Sequence, residues 1–170
     1  KTPYEHDWSR KTVEFLVTSS GKTGAGKPVV RNKNFYFRNG FCWSDIKTVY
    51  LKCRLKDRSV YDVTSMSMFS LMPNIPDWFF VCLINSKFIS EYVNDFENNT
   101  SIFQINDARQ LPIIIPTQEQ LDFFHSIFNK AYEIQMLKFE NKISKNKAEE
   151  KLEDIQKNLD YYVYQYYGLD

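Results

Sequence analysis

From Thr117 onward the chain repeats one pattern. Leu121, Phe124, Ile127, Phe128, Ala131, Ile134 and Leu137 follow one another at steps of three or four residues, the signature of a helix with a single apolar face. Thr117 and Gln120 have the capping-box spacing that satisfies the exposed amides of a first turn. A polar stretch at 142–147 breaks or bends the helix, and Leu152, Ile155, Leu159, Tyr162, Val163 and Tyr166 then form a second stripe. Gly168 ends it, as a glycine past a helix C-terminus does. Two such stripes need a surface to cover them, either the preceding residues or a partner.

Those preceding residues read as β structure. Val13 to Thr18 and Val29 to Phe37 are rich in β-branched and aromatic side chains, which predicts two strands. The stretch 19–27 between them holds three of the five glycines and reads as a loop. Asn39-Gly40 is a turn signal. Thr48 to Leu55 alternates apolar Val49, Leu51, Cys53 and Leu55 with Tyr50, Lys52 and Arg54, Lys56-Asp57-Arg58 suits a turn, and 60–63 and 65–71 suit short strands. Past Pro73 and Pro76, Asp77 is placed to cap a helix starting at Trp78 that is apolar almost all round and therefore buried. Ile102 to Ile105 and Leu111 to Ile115 suit buried strands or extended segments. The expected architecture is α+β: a β-rich lobe over 1–116 with a mixed, curved sheet, followed by a helical region over 117–170 with two long helices.

Composition sets the outer bounds. With 170 residues, 43% hydrophobic and 25% charged, the chain can bury a core without staples. The net charge of +1 conceals an asymmetry: residues 1–60 carry 13 basic and 5 acidic side chains, and residues 61–170 carry 9 and 16. A basic N-terminal part points to a polyanion partner. Cys42, Cys53 and Cys82 show no CxxC spacing, which argues against a disulfide framework or zinc ribbon and for a reducing cytoplasm. No apolar run approaches membrane-spanning length, so no membrane partner is expected. A start at Lys1 suggests a piece of a longer protein.

Catalytic constellations are scarce. Gly21-Lys22-Thr23-Gly24-Ala25-Gly26-Lys27 approaches a phosphate-binding P-loop, but Pro28 stands where Ser or Thr should hold Mg²⁺ and a strand rather than a helix is expected to follow. A flexible loop, or one lying against a nucleic-acid backbone, is the better reading. His6 and His125 are the only histidines, and His125 reads as a helix-surface or packing residue. No acidic spacing resembles a metal-dependent nuclease, so the fragment itself is not expected to be an enzyme and no cofactor or metal is assigned to it. The stronger signal is basic residues among aromatic ones: Arg31, Lys33, Arg38, Lys52, Arg54, Lys56 and Arg58 with Phe35, Tyr36, Phe37, Trp43 and Tyr50. Arginine suits bidentate contact with guanine, and lysine suits phosphate. The run Tyr161, Tyr162, Tyr164, Tyr166 and Tyr167 fits packing better than base stacking.

Four segments add a family resemblance. Asn106 to Gln120 resembles the N-x-x-x-x-x-P-I-x-x-P-x-x-x-Q segment before the conserved helix of target recognition domains in restriction-modification specificity proteins. Phe35 to Ser44 is similar to the F-x-x-x-G-I-x-W-S signature of Eco57I-like type IIG enzymes and related adenine methyltransferases. Leu83-Ile84-Asn85-Ser86-Lys87-Phe88 is similar to their L-L-N-S-K-L helix, and Leu159 to Leu169 resembles their closing I-D-x-x-V-Y-x-L-Y-G-L.

That resemblance implies a sequence-specific double-stranded DNA recognition domain from a bacterial or archaeal cytoplasmic enzyme. It would position an adenine-N6 methyltransferase domain of the same parent chain, with or without a nuclease. S-adenosylmethionine, and Mg²⁺ for a nuclease, would belong to that parent, whose Asn-Pro-Pro-Tyr motif is not in this stretch. Gly40, Trp43 and Asn85 are expected to serve the fold, and base-reading residues do not transfer between members. The DNA-facing set expected from this chain's own residues is Lys22, Lys27, Arg31, Lys33, Arg38, Arg54, Lys56 and Arg58. Two alternatives remain: a helical protein-interaction module without DNA contact, for which Ile155 and Leu159 would be the docking residues, and nucleotide hydrolysis at the glycine loop.

Overall fold

The computed structural model describes residues 7–24, 26, 28–46, 50–60, 65–97 and 100–169. The chain divides into two compact units, Lys1–Tyr36 and Phe37–Asp170. In the first, the strand expected over Val13 to Thr18 is instead helix α1 (Arg10–Ser19). Its start is written in polar side chains: the Ser9 hydroxyl accepts from the Thr12 amide at 3.4 Å, and Asp7 accepts from the Ser9 amide at 2.8 Å and the Thr12 hydroxyl at 2.6 Å. Arg10 and Glu14 then pair at 2.9 Å one turn apart. The strand expected over Val29 to Phe37 is also absent. Its described residues hold a single 3₁₀ turn at Lys33–Phe35, entered through Asn32 in the left-handed region (φ 50°). β-branched content alone makes no strand without a ladder to join.

The second unit is α+β, a small sheet followed by helices. Strands β1 (Gly40–Ser44), β2 (Cys53–Lys56) and β3 (Ser65–Met68) form one sheet in the order β2-β1-β3, with both pairings antiparallel. Gly40, expected in a turn, opens the central strand because nothing larger fits: a Cβ there would stand 2.5 Å from the Met68 carbonyl oxygen and 2.7 Å from the Phe69 ring. The strand expected over 48–55 is shorter than that: 50–52 are described but lie outside β2, which begins at Cys53, while 48 and 49, and 61–63 of the short strand expected at 60–63, lie outside the described residues.

Helix α2 (Asp77–Ile84) begins one residue earlier than expected, with Pro76 at the cap position, and Asp77 turns its carboxylate to the Ser70 amide at 2.9 Å. Phe79, Val81, Cys82, Leu83 and Ile84 are all buried, as an all-apolar helix must be. α3 (Lys87–Tyr92) runs into a π-helical turn at Val93–Glu97, and α4 (Ile105–Ala108) is a single turn. α5 (Gln118–Phe139) carries the expected capping box, with Thr117 and Gln120 each accepting the other's amide. α6 (Lys145–Tyr166) follows after the polar break. Both long helices end in Schellman turns. In the second, Gly168 takes φ +69° while its amide reaches Gln165 O and the Leu169 amide reaches Tyr164 O; Asn141 (φ 56°) does the same for α5.

One core joins sheet and helices. Phe41 and Trp43 of β1 share it with Phe79 and Leu83 of α2, Phe124 of α5, and Leu159 and Val163 of α6. The 116/117 boundary therefore falls between residues that contribute to the same core. Ile155 and Leu159 also lie in or against it, so those two face their own chain. Leu111 to Ile115 forms no strand, the Ile113 amide turning back to Leu111 O at 2.9 Å, and Ile113, Ile114 and Ile115 are exposed rather than buried. Pro112 and Pro116 lack the amides a ladder needs, and the segment is instead tied by its carbonyls.

Candidate nucleic-acid interface

β1 and β2 set the geometry. Their register pairs Gly40 with Lys56 and Cys42 with Arg54, and the Phe37 amide continues it by donating to Ser59 O at 3.2 Å. Arg38 and Arg58 are thereby brought across from each other at one end of the strand pair, with Arg54 two pleat repeats inward on the edge strand. All three are exposed. They come from residues far apart in sequence and meet only through the antiparallel ladder.

Lys56 is the exception within the expected set. It is 6% exposed, and its ammonium is turned onto backbone, donating to the carbonyls of Ser59 at 2.8 Å, Arg38 at 3.0 Å and Asp57 at 3.2 Å. The Phe69 ring lies 5.7 Å from the nitrogen. Burial pulls its pKa below the ordinary lysine value, against the Asp57 carboxylate, which pushes it up. The side chain is occupied with the fold rather than with solvent. Phe37, immediately before Arg38, is exposed and held in the left-handed region (φ 59°), an unusual conformation for an aromatic residue.

In the first unit Lys22, Arg31 and Lys33 are exposed, and Lys27 lies outside the described residues. The glycine loop follows the C-terminus of α1, where unpaired carbonyls gather, whereas a phosphate cradle needs the amides of a helix N-terminus. Its stem is closed by Gly21 N to Pro28 O at 3.2 Å, and the Ser20 hydroxyl accepts from the Val30 amide at 2.9 Å. Among its described residues no amide stands at a helix N-terminus, where a phosphate would be cradled. Lys33 lines a shallow depression with Val17, Ser20, Val30, Asn32 and Asn34.

The aromatic partners divide. Trp43 is buried and its indole donates to Phe103 O at 3.1 Å, so it is part of the core; Phe37 and Tyr50 stay exposed. Tyr162, Tyr164, Tyr166 and Tyr167 at the end of α6 are packing and tethering residues, while Tyr161 is exposed. Tyr166 and Tyr167 donate to Ile114 O and Pro112 O, both at 2.6 Å, and Tyr164 donates to Glu91. The Glu91 bond, with burial, moves the Tyr164 phenol up to about 12, and burial moves Tyr166 to about 12 as well. His125 stacks on Trp78 at 4.8 Å between ring centres, while His6 lies outside the described residues. Among the described residues no three His, Cys, Asp or Glu side chains converge as a metal site, and no helix is long and apolar enough to cross a membrane. The Cys53 and Cys82 thiols are pushed up by burial, Cys82 to about 12, which keeps them protonated.

Sequence reasoning missed what links the pieces. Asn85 faces the outer edge of β2 and pairs with both backbone groups of Cys53, accepting at 2.7 Å and donating at 2.8 Å. The Ser90 hydroxyl takes the Leu51 amide at 3.0 Å further along that edge. Asp160 of α6 accepts from the Lys87 amide at 2.7 Å, and Gln156 donates to Asn85 O at 3.0 Å. Gly40, Trp43 and Asn85 thus serve the fold. No protein-family model matches the chain, and no curated protein matches it with a significant score.

Proposed function

We propose that this chain is a double-stranded DNA recognition domain that sets target choice for an adenine-N6 methyltransferase domain elsewhere in a parent enzyme, with S-adenosylmethionine bound by that other domain. The observation that carries the reading is the placement of Arg38 and Arg58 across from each other, with Arg54 further along the edge strand, all exposed, on one β1–β2 pair. Arginine forks offer the fixed donor geometry that guanine edges and phosphates accept. A second basic group, Lys22, Arg31 and Lys33, belongs to the first unit and enters the proposal as backbone-contacting charge. Supporting it further, the four sequence segments that resemble target recognition domains carry the bonds that hold this fold, Asp160 to Lys87 and Tyr167 to Pro112 among them.

Titration of a fluorescein-labelled random-sequence duplex at several salt concentrations tests it. Affinity should fall linearly on a log-log plot, and each of Arg38→Ala, Arg54→Ala and Arg58→Ala should reduce the slope by about 0.9. An affinity constant from low to moderate salt would count against DNA recognition. The alternative, a helical interaction module, has one observation in its favour: Tyr132, Met136 and Phe139 are exposed at helical spacing on α5. Under that reading the arginine variants are silent and Phe139→Glu abolishes assembly.

A further inference from the structure

We propose that Lys56 is a positioning residue that fixes Arg38 and Arg58 as a preset pair, so that the two guanidinium groups engage duplex DNA together. The inference rests on the DNA-recognition reading above and adds a part that neither strand supplies alone. Arg38 precedes β1 and Arg58 follows β2, and each sits in a connecting stretch with no strand of its own. One nitrogen reaches both stretches. Lys56 Nζ bonds the carbonyl of Arg38 itself and the carbonyls on either side of Arg58, those of Asp57 and Ser59. The backbone bond from Phe37 N to Ser59 O closes the same pair of stretches from the other side.

The surroundings make this a built arrangement rather than a lysine folded back by chance. Gly40, the pairing partner of Lys56, leaves the space that the Phe69 ring occupies, and that ring lies over the ammonium. Ammonium-to-carbonyl bonds under a ring are strong because they are charge-assisted and shielded from water. A fixed separation matters for recognition because ordering a long arginine-bearing loop at the moment of binding costs affinity, while a preset one spares that cost. Lys56 itself is too buried to reach a phosphate, so its contribution to binding runs through the two arginines.

The test uses the full chain and the labelled random-sequence duplex. Lys56→Met keeps the length of the side chain and removes the three bonds. Expected is a fall in affinity of about tenfold with a salt slope reduced by about 1, although no DNA-contacting charge has been deleted. In an Arg38→Ala/Arg58→Ala background the same change should have no further effect, because coupling between sites is what a positioning role predicts. A Lys56→Met effect equal in both backgrounds, or none at all, overturns the positioning role while the DNA reading stands on the arginine variants. Silent arginine variants overturn both. A variant-independent measurement guards against misfolding of Lys56→Met: in the unaltered protein without DNA, the Phe37 amide should already exchange at least about tenfold more slowly than an unprotected amide. Exchange at the unprotected rate in the free protein overturns the proposal.

Discussion

At the scale of single residues, the polar side chains buried in this fold act mainly on backbone. Asn85 satisfies the peptide groups of Cys53 on the open edge of the sheet, and Lys56, Ser90 and Trp43 satisfy backbone groups in the connecting stretches around it. Asn85 is the most consequential of them because it serves both groups of Cys53 at once, standing where a fourth strand would pair. Asn85→Ala would strand a donor and an acceptor beside a buried strand, at a cost of about 2–3 kcal/mol. Urea denaturation should show a lower midpoint with the slope unchanged. Asn85→Asp should recover part of the loss, since it keeps the acceptor for the Cys53 amide while setting a carboxylate against the carbonyl. Trp43 and Asn85 were expected from the family resemblance to serve the fold, but their partners were not legible: those of Trp43, Asn85 and Ser90 lie more than thirty positions away, beyond the reach of any local pattern.

At the scale of elements, legibility followed the source of each element's stability. α5 and α6 could be read in detail because caps, stripe and stop are all local: Thr117 with Gln120 at one end, Gly168 at the other. α1 was misread because Val13, Val17 and Thr18 weigh toward strand, while the decisive signal lay just upstream in Asp7, Ser9 and Thr12. The candidate site was half legible. Composition found the arginines, but pairing of residues 38 and 58 required the β1–β2 register, and the inward turn of Lys56 required the carbonyls it meets. α3 is too short to stand on local bonds and depends on α6. The Asp160 carboxylate at its first turn satisfies the Lys87 amide and favours that end of the helix by charge. Asp160→Ala should cost about 1 kcal/mol and speed amide exchange in Lys87–Tyr92 and in the Val93–Glu97 turn while leaving α5 protected. Uniform loss of protection across both helices would contradict that local role.

At the scale of the whole molecule, the division at residue 36/37 and the distribution of charge are separate facts that one experiment can connect. Every buried residue of the main core lies between Phe41 and Val163, so residues 37–170 hold a complete sheet, its covering helices and both Schellman stops. A chain beginning at residue 37 should therefore fold cooperatively, with near-native circular dichroism and a single urea transition. Its charge differs sharply from that of the full protein. Removing 1–36 removes seven basic and three acidic side chains, Lys22, Lys27, Arg31 and Lys33 among the former, and leaves a remainder with 15 basic and 18 acidic residues. If the first unit supplies backbone-contacting charge while Arg38, Arg54 and Arg58 supply the oriented contacts, the shortened chain should bind duplex more weakly. Its salt slope should fall by about 2–4, yet it should keep its sensitivity to Arg38→Ala. Loss of that sensitivity would place the binding energy in the first unit. An unaltered slope would show that the basic residues of 1–36 do not reach the phosphates at all, and the positive N-terminal balance would then belong to solubility rather than recognition.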